Sequence, residues 1–344
     1  ETPYMTTRAI EFMEQAGDTP WCAHLSYIKP HWPYIAPAPY NDMYSAKDVI
    51  PVNRSDGELV NMHPVFEAYA TGKVGASFSR DFVRDEVIPS YMGLIKQCDD
   101  QMGRLFAYLK DSGRWDDTMI VLTSDHGDYL GDHWMGEKDM LHDCSAKVPL
   151  IIRDPSRDCD STRGTTCDAL VEAIDLAPTF LDAVGGEPRP HILEGRSLMP
   201  ILRGETPEDW RDYVISEHDF GVSPGTGALA QQVEDPRQFM VATKEWKYIH
   251  AHGFRPMIFD LVRDPDELTD LGEDPGYEDV RREMAGHLSD WALRLSQRTT
   301  MSPAQIDEER ARSPSHGILL GAWDESETPP AQLQFYGPRP GPEI

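Results

Sequence analysis

The 344-residue sequence contains no apolar run near the roughly 20 residues that a membrane-spanning helix requires. A membrane partner is therefore not expected. Basic residues are also scarce: 32 Lys and Arg stand against 59 Asp and Glu, a formal net charge of -27. That balance opposes binding to nucleic acid or to an anionic membrane through a general electrostatic field. An anionic substrate would have to be held by a local cluster instead. Cysteine is sparse and unpatterned, since Cys22, Cys98, Cys144, Cys159 and Cys167 are odd in number and show no paired spacing. This argues against a disulfide framework and against a cysteine zinc site. Reduced thiols fit a cytoplasmic setting, with the periplasm as the alternative. The remainder, 40% hydrophobic and 26% charged, is ordinary globular composition, long enough for one or two domains.

The most informative stretch runs from Thr118 to Lys138. Met119-Ile-Val-Leu122 is a short apolar run with β-branched residues and reads as a fully buried strand of an α/β sheet. Asp125 and His126 follow at its carboxyl end, with Gly127 next. In open α/β sheets, ligands bind at that edge because loops converge there. A carboxylate oxygen and a neutral imidazole nitrogen both suit a divalent cation, and a turn past the strand can bring adjacent side chains to one ion. For the dipeptide alone, a turn with a capping carboxylate is the commoner outcome.

The wider pattern favours the metal reading. Thr123-Ser-Asp-His-Gly-Asp128, Gly131-Asp-His133, Lys138 and Val148-Pro-Leu-Ile-Ile-Arg153 together resemble the metal-and-lysine segment of the sulfatases. The likeness is closest to the phosphonate monoester hydrolases and phosphodiesterases of the alkaline phosphatase superfamily. Lys29-Pro-His-Trp-Pro-Tyr34, Ile174-Asp-Leu-Ala-Pro-Thr179, Leu193-Glu-Gly-Arg-Ser-Leu198 and Gly317-Ile-Leu-Leu-Gly-Ala-Trp-Asp324 match in the family's order. The last of these tilts the resemblance toward the phosphonate branch. The family's Cys-x-Pro-x-Arg or Ser-x-Pro-x-Arg signature, whose first residue becomes formylglycine, is missing from these residues, as is its early Asp-rich metal motif. The chain is therefore expected to be the C-terminal portion of a longer enzyme, with formylglycine in the N-terminal segment.

Along the chain, Thr2 to Ala16 reads as an amphipathic helix with Met5, Ala9, Ile10 and Met13 inward and Gly17 as its cap. Trp21 to Ile28 reads as a strand, and two prolines then make a rigid loop around His31. Residues 35–74 read as a long irregular excursion. Tyr91 to Ser112 is the clearest helix by spacing, and Asp99 and Asp100 on it read as a solvated or structural pair. A Lys between two acids, as in Glu137-Lys138-Asp139, is usually a surface ion pair. Val148 to Ile152 reads as another buried strand. Ala169 to Gly185 reads as a helix with Leu170, Ala173, Ile174, Leu176, Phe180, Leu181 and Val184 inward, kinked or broken at Pro178. Past Arg211, four short strand candidates and a helix from Tyr277 to Ser296 imply an antiparallel sheet with a helix across it. Asp264 to Leu271 has the carboxylates of a calcium loop, though turn capping is the stronger reading.

The resemblance implies an alkaline phosphatase-like α/β sandwich with a smaller C-terminal antiparallel sheet plus helix. Residues 1–210 would belong to the catalytic domain, 211–300 to the small subdomain, and 301–344 to a tail that is loose or packed on a neighbouring subunit. It implies Asp125 and His126 as metal ligands and Lys138 and His31 as substrate-contacting residues, with His133 supporting its neighbours. The cofactors implied are one divalent ion, manganese or calcium, and formylglycine. The implied reaction is hydrolysis of phosphonate monoesters or phosphodiesters by a homo-oligomer, a dimer or a tetramer. A sulfatase for sulfate monoesters is the alternative within enzymes; Asn typically follows the metal Asp there, and His126 favours the phosphonate branch. A catalytically inactive fragment or assembly module is the alternative of another class.

Overall fold

The computed structural model describes residues 1–187, 193–221 and 226–293, with the isolated positions 308, 311, 326, 328 and 330. The motif from Gly317 to Asp324, and all but those isolated positions of the 301–344 tail, lie outside the described residues. In chain order the helices are α1 (Thr2–Ala16), α2 (Pro64–Ala70), α3 (Asp81–Asp111), α4 (Asp143–Ala146), α5 (Leu176–Ala183), α6 (Met199–Leu202), α7 (Gly227–Ala230) and α8 (Glu278–Ala292). The strands are β1 (Ile120–Thr123), β2 (Leu150–Arg153), β3 (Val214–Asp219), β4 (Arg237–Ala242), β5 (Trp246–Ala251) and β6 (Met257–Asp260). Up to residue 293 the described residues fall into two compact units, one within residues 1–52 and 77–118, the other within residues 53–76 and 119–293.

In the first unit α1 packs on α3. The helix α1 runs as expected and stops at Gly17, whose φ of 55° suits a residue without a Cβ. Its inward face differs from the expected one: Thr2, Thr6 and Met13 are buried. The Thr6 hydroxyl finds a partner in the Tyr27 phenol at 2.7 Å, so a polar residue is tolerated inside. Trp21 to Ile28 is not a strand. It makes no ladder among the described residues and is half-exposed to exposed throughout. The helix α3 begins ten residues before the expected start, because Val83, Val87 and Ile88 extend its buried face upstream of Pro89. Lys96 pairs with both Asp99 and Asp100, which are the structural, solvated pair expected.

In the second unit β1 pairs with β2 antiparallel, Ile120 opposite Arg153 and Thr123 opposite Leu150. These strands are not fully buried; Ile151 is 64% exposed. Among the described residues each strand pairs only with the other, so neither is enclosed as a central strand would be. The second sheet runs β3-β4-β5-β6, all antiparallel; the short links at residues 243–245 and 252–256 require this of β4–β5 and β5–β6. The helix α8 covers one face, where Met284 joins Val241, Tyr248 and Ile258 in a buried cluster. The other face meets a larger core with Phe66, Tyr69, Tyr129, Met135 and Met140. Within Asp264 to Leu271, Asp264 accepts the Thr269 N–H at 2.7 Å and Asp270 that of Gly272 at 2.8 Å. Turn capping therefore accounts for these carboxylates.

The helix at α5 is shorter than expected, and its orientation differs. Pro178 falls in its first turn, where a missing N–H costs nothing, so the proline neither kinks nor breaks it. Ile174, Phe180, Leu181 and Val184 are exposed, whereas Asp175, Pro178 and Thr179 are buried. The reason is polar: Asp175 accepts N–H groups from Arg196 at 2.7 Å and Glu172 at 2.8 Å and is gripped by both arms of Arg211. An inward Asp175 turns the apolar side of the helix outward.

Candidate active site

Past Thr123, β1 ends in a turn built from its own polar groups. Ser124 Oγ donates to the His126 carbonyl at 2.7 Å, and the His126 N–H donates to Asp125 Oδ1 at 3.1 Å. His126 Nδ1 lies 2.7 Å from the Gly127 carbonyl, which can only accept, so that nitrogen carries the proton. The other ring nitrogen, Nε2, lies 3.7 Å from Asp125 Oδ2. Two ordinary metal–ligand bonds of about 2.1 Å can span that separation. A backbone carbonyl behind the imidazole is also the usual way a ligating His is oriented. The side chain of Asp125 is 88% exposed and that of His126 30%, so both are accessible. Oxygen plus imidazole suits a divalent ion, and on this chemistry the pair fits one. It is a pair only: among the described residues no group of three or more His, Cys, Asp or Glu is arranged to hold a metal ion.

Gly127 ties this turn to the next. Its N–H donates to the Ser145 carbonyl at 2.8 Å, and a Cβ there would lie 1.9 Å from the Cys144 carbonyl oxygen. Ser145, buried on α4, uses its hydroxyl to donate to the Lys138 carbonyl. One residue thus holds both the Asp125–His126 turn and the Lys138 segment. The structure brings these three residues into one neighbourhood.

The intervening loop is strained and heavily fastened. Leu130, His133, Trp134 and Glu137 all have positive φ, at 46°, 51°, 66° and 62°. Left-handed backbone costs a non-glycine residue roughly 1 kcal/mol or more and persists where the surroundings dictate it. Here Asp132 accepts the Asn53 N–H at 2.8 Å, the His133 N–H meets the Asn53 carbonyl at 2.9 Å, and the Gly136 N–H meets that of Gly75 at 2.9 Å. His133 is buried, its Nδ1 2.6 Å from Glu58 and its ring stacked on His142 at 3.8 Å. His142 is in turn within 2.9 Å of the Tyr129 hydroxyl. Burial pushes the His142 imidazole well below the usual range, so it is neutral in this stack. His133 therefore supports the loop from within.

Lys138 Nζ donates to Glu137 Oε2 at 3.3 Å. This is not the surface pair that two flanking acids suggest, because Glu137 is only 5% exposed. Burial, opposed by Lys138 and reinforced by Asp128 and Asp139, pushes its carboxyl up to about 7. Nothing in the local residue pattern announces that burial; it follows from a left-handed turn that points the side chain inward.

His31 belongs to the first unit. Its N–H closes a turn on the Ile28 carbonyl at 3.0 Å, and its Nδ1 is 3.0 Å from the Trp32 carbonyl. Lys29 staples the loop by donating to the Pro33 carbonyl at 2.8 Å and that of His31 at 3.2 Å. Tyr34, fully buried, anchors its far end against Phe78 and Tyr91.

Comparison with known proteins gives the same family from several directions. The sulfatase family profile matches residues 3–186, and the profile described as N-sulphoglucosamine sulphohydrolase, C-terminal, matches residues 131–293. The multifunctional alkaline phosphatase superfamily protein PehA of Trinickia caryophylli is 34% identical over 317 residues, 87% of this chain and 60% of that protein. An arylsulfatase of Clostridium perfringens is 28% identical over 81% of this chain and 55% of its own length. The phosphonate monoester hydrolase of Agrobacterium radiobacter superposes with a TM-score of 0.76 at 32% identity, covering 85% of this chain and 60% of that one. That of Silicibacter pomeroyi gives 0.78 at 31%, covering 88% and 63%. The chain thus spans about 60% of the length of these relatives.

Proposed function

Since the chain belongs to the sulfatase family of the alkaline phosphatase superfamily and has its α/β fold, we propose that it is the larger part of a metal-dependent hydrolase of phosphonate monoesters and phosphodiesters. The observation that carries this is the Asp125–His126 pair at the end of β1, with His126 Nε2 3.7 Å from Asp125 Oδ2. Asp125 and His126 would hold the ion. When bound, a divalent cation supplies positive charge to the substrate's non-bridging oxygens and acidifies a nucleophile. The other ligands and a formylglycine nucleophile would come from sequence beyond this chain.

Lys138 adds a point charge to a non-bridging oxygen, offsetting the negative charge there as the nucleophile approaches phosphorus. In the overall reaction the P–O bond to the alcohol breaks and an oxygen from water ends on phosphorus. His31 is assigned the leaving oxygen: protonated on Nε2, it gives that proton to the departing alkoxide. His126 favours the phosphonate branch over sulfatases, and two phosphonate monoester hydrolases are among the similar structures.

The test is a substrate panel on the full-length protein, with an aryl sulfate beside aryl phosphonate monoesters of graded phenol acidity. The expected result is a higher kcat/KM for the phosphonates, with His31→Ala steepening the dependence on phenol pKa. Preference for the sulfate would instead support the sulfatase reading. Turnover of neither would favour an inactive module. Parallel lines for wild type and His31→Ala would reduce His31 to a packing residue.

A further inference from the structure

Glu137 is hard to explain as a stabilising residue. Its side chain is almost wholly buried, one carboxyl oxygen accepts from Lys138 at 3.3 Å, and the other has no hydrogen-bond partner. A buried carboxylate with a single long hydrogen bond is poorly compensated for its lost hydration. Two further carboxylates, Asp128 and Asp139, face it from its own loop, and the phenol of Tyr69 approaches from α2. Its backbone is left-handed, at φ 62°, a conformation that disfavours a side chain of this size. The position is nonetheless fixed: the Glu137 carbonyl accepts the Tyr129 N–H at 2.8 Å, and the Tyr69 hydroxyl donates to the neighbouring Gly136 carbonyl at 2.9 Å. Costs of this kind gather where a side chain is needed for function.

We propose that Glu137 is the positioning residue of Lys138: its buried carboxylate aims the ammonium group at the substrate's non-bridging oxygen and holds it there. This rests on the role given to Lys138 above. Lys138 is long and flexible, and its side chain is 29% exposed. A fixed anion at its base removes rotamer freedom before substrate arrives, the kind of preorganisation that favours the transition state. The device works only while Glu137 is ionised. Burial holds the carboxyl at about 7, so the free enzyme should gain this help as pH rises through neutrality.

The test compares kcat/KM for an aryl phosphonate monoester from pH 5 to 9 in the full-length protein. Wild type, Glu137→Gln, Lys138→Ala and the double variant are needed. Glu137→Gln should lose roughly tenfold above pH 8 and little below pH 6, flattening the limb near pH 7, while the double variant should match Lys138→Ala. A loss of equal size at every pH, or a double variant well below Lys138→Ala, would overturn the proposal. An unimpaired Lys138→Ala would overturn the role of Lys138 itself, and the positioning proposal with it. Should Glu137→Gln not fold, the wild-type profile still decides: no limb between pH 6 and 8 would count against an ionising Glu137.

Discussion

At the scale of single residues, the same environment that suits Glu137 to its proposed task should make it a stability cost. Its carboxyl moves from an ordinary 4.5 up to about 7 on folding, chiefly through burial. Below about pH 4.5 it is protonated in both folded and unfolded chains and costs nothing. Between those values only the folded carboxyl keeps its proton, and stability is progressively lost until the folded group has ionised too. Replacing it with Gln should therefore stabilise the fold above pH 7, by up to about 3 kcal/mol, and give almost no advantage near pH 4.5. Urea denaturation at pH 5 and pH 8 checks this; a variant with no extra advantage at pH 8 would contradict it. Asp125, His126, Lys138 and His31 could be put forward from the sequence because each sits in a stretch that carries the family resemblance. Glu137 could not, since neither its left-handed backbone nor its inward direction leaves a periodic trace.

At the scale of elements, what was legible depended on whether apolar spacing or polar chemistry set the packing. The four strands β3 to β6 and α8 bury apolar faces, and their alternation and helical spacing declared them within a few residues. The helix α3 also obeyed its spacing, but Pro89 hid its first ten residues, since a proline ordinarily marks a helix start or break. The helix α5 was misread because its orientation is set by Asp175, whose side chain is 0% exposed, gripped by Arg211 at 8%. Breaking a buried pair by removing one partner leaves an uncompensated charge, at a typical cost of 3 to 5 kcal/mol, in the range of about 3 to 5 for this pair too. Arg211→Ala should lower the denaturation midpoint accordingly. A cost below about 1 kcal/mol for Arg211→Ala would mean that this pair does not fix α5. Trp21 to Ile28 failed for a different reason: β-like composition makes a ladder only where a neighbouring strand supplies partners.

At the scale of the whole molecule, the chain carries the family's fold over about 60% of its relatives' length, and Asp125 and His126 are the two residues proposed here to hold a cation. The Asp125–His126 turn, the Ser145 tie and the fastened loop before Lys138 are all built from residues of one unit. Whether they serve a bound cation is best asked through metal content. In full-length protein purified without chelator, wild type should carry about one divalent ion per chain. Asp125→Ala should carry well under half of that, with an unchanged circular dichroism spectrum, since an exposed carboxylate at a strand end contributes affinity rather than folding. Equal metal content in the two proteins would contradict the assignment of Asp125 and His126 as the cation's ligands.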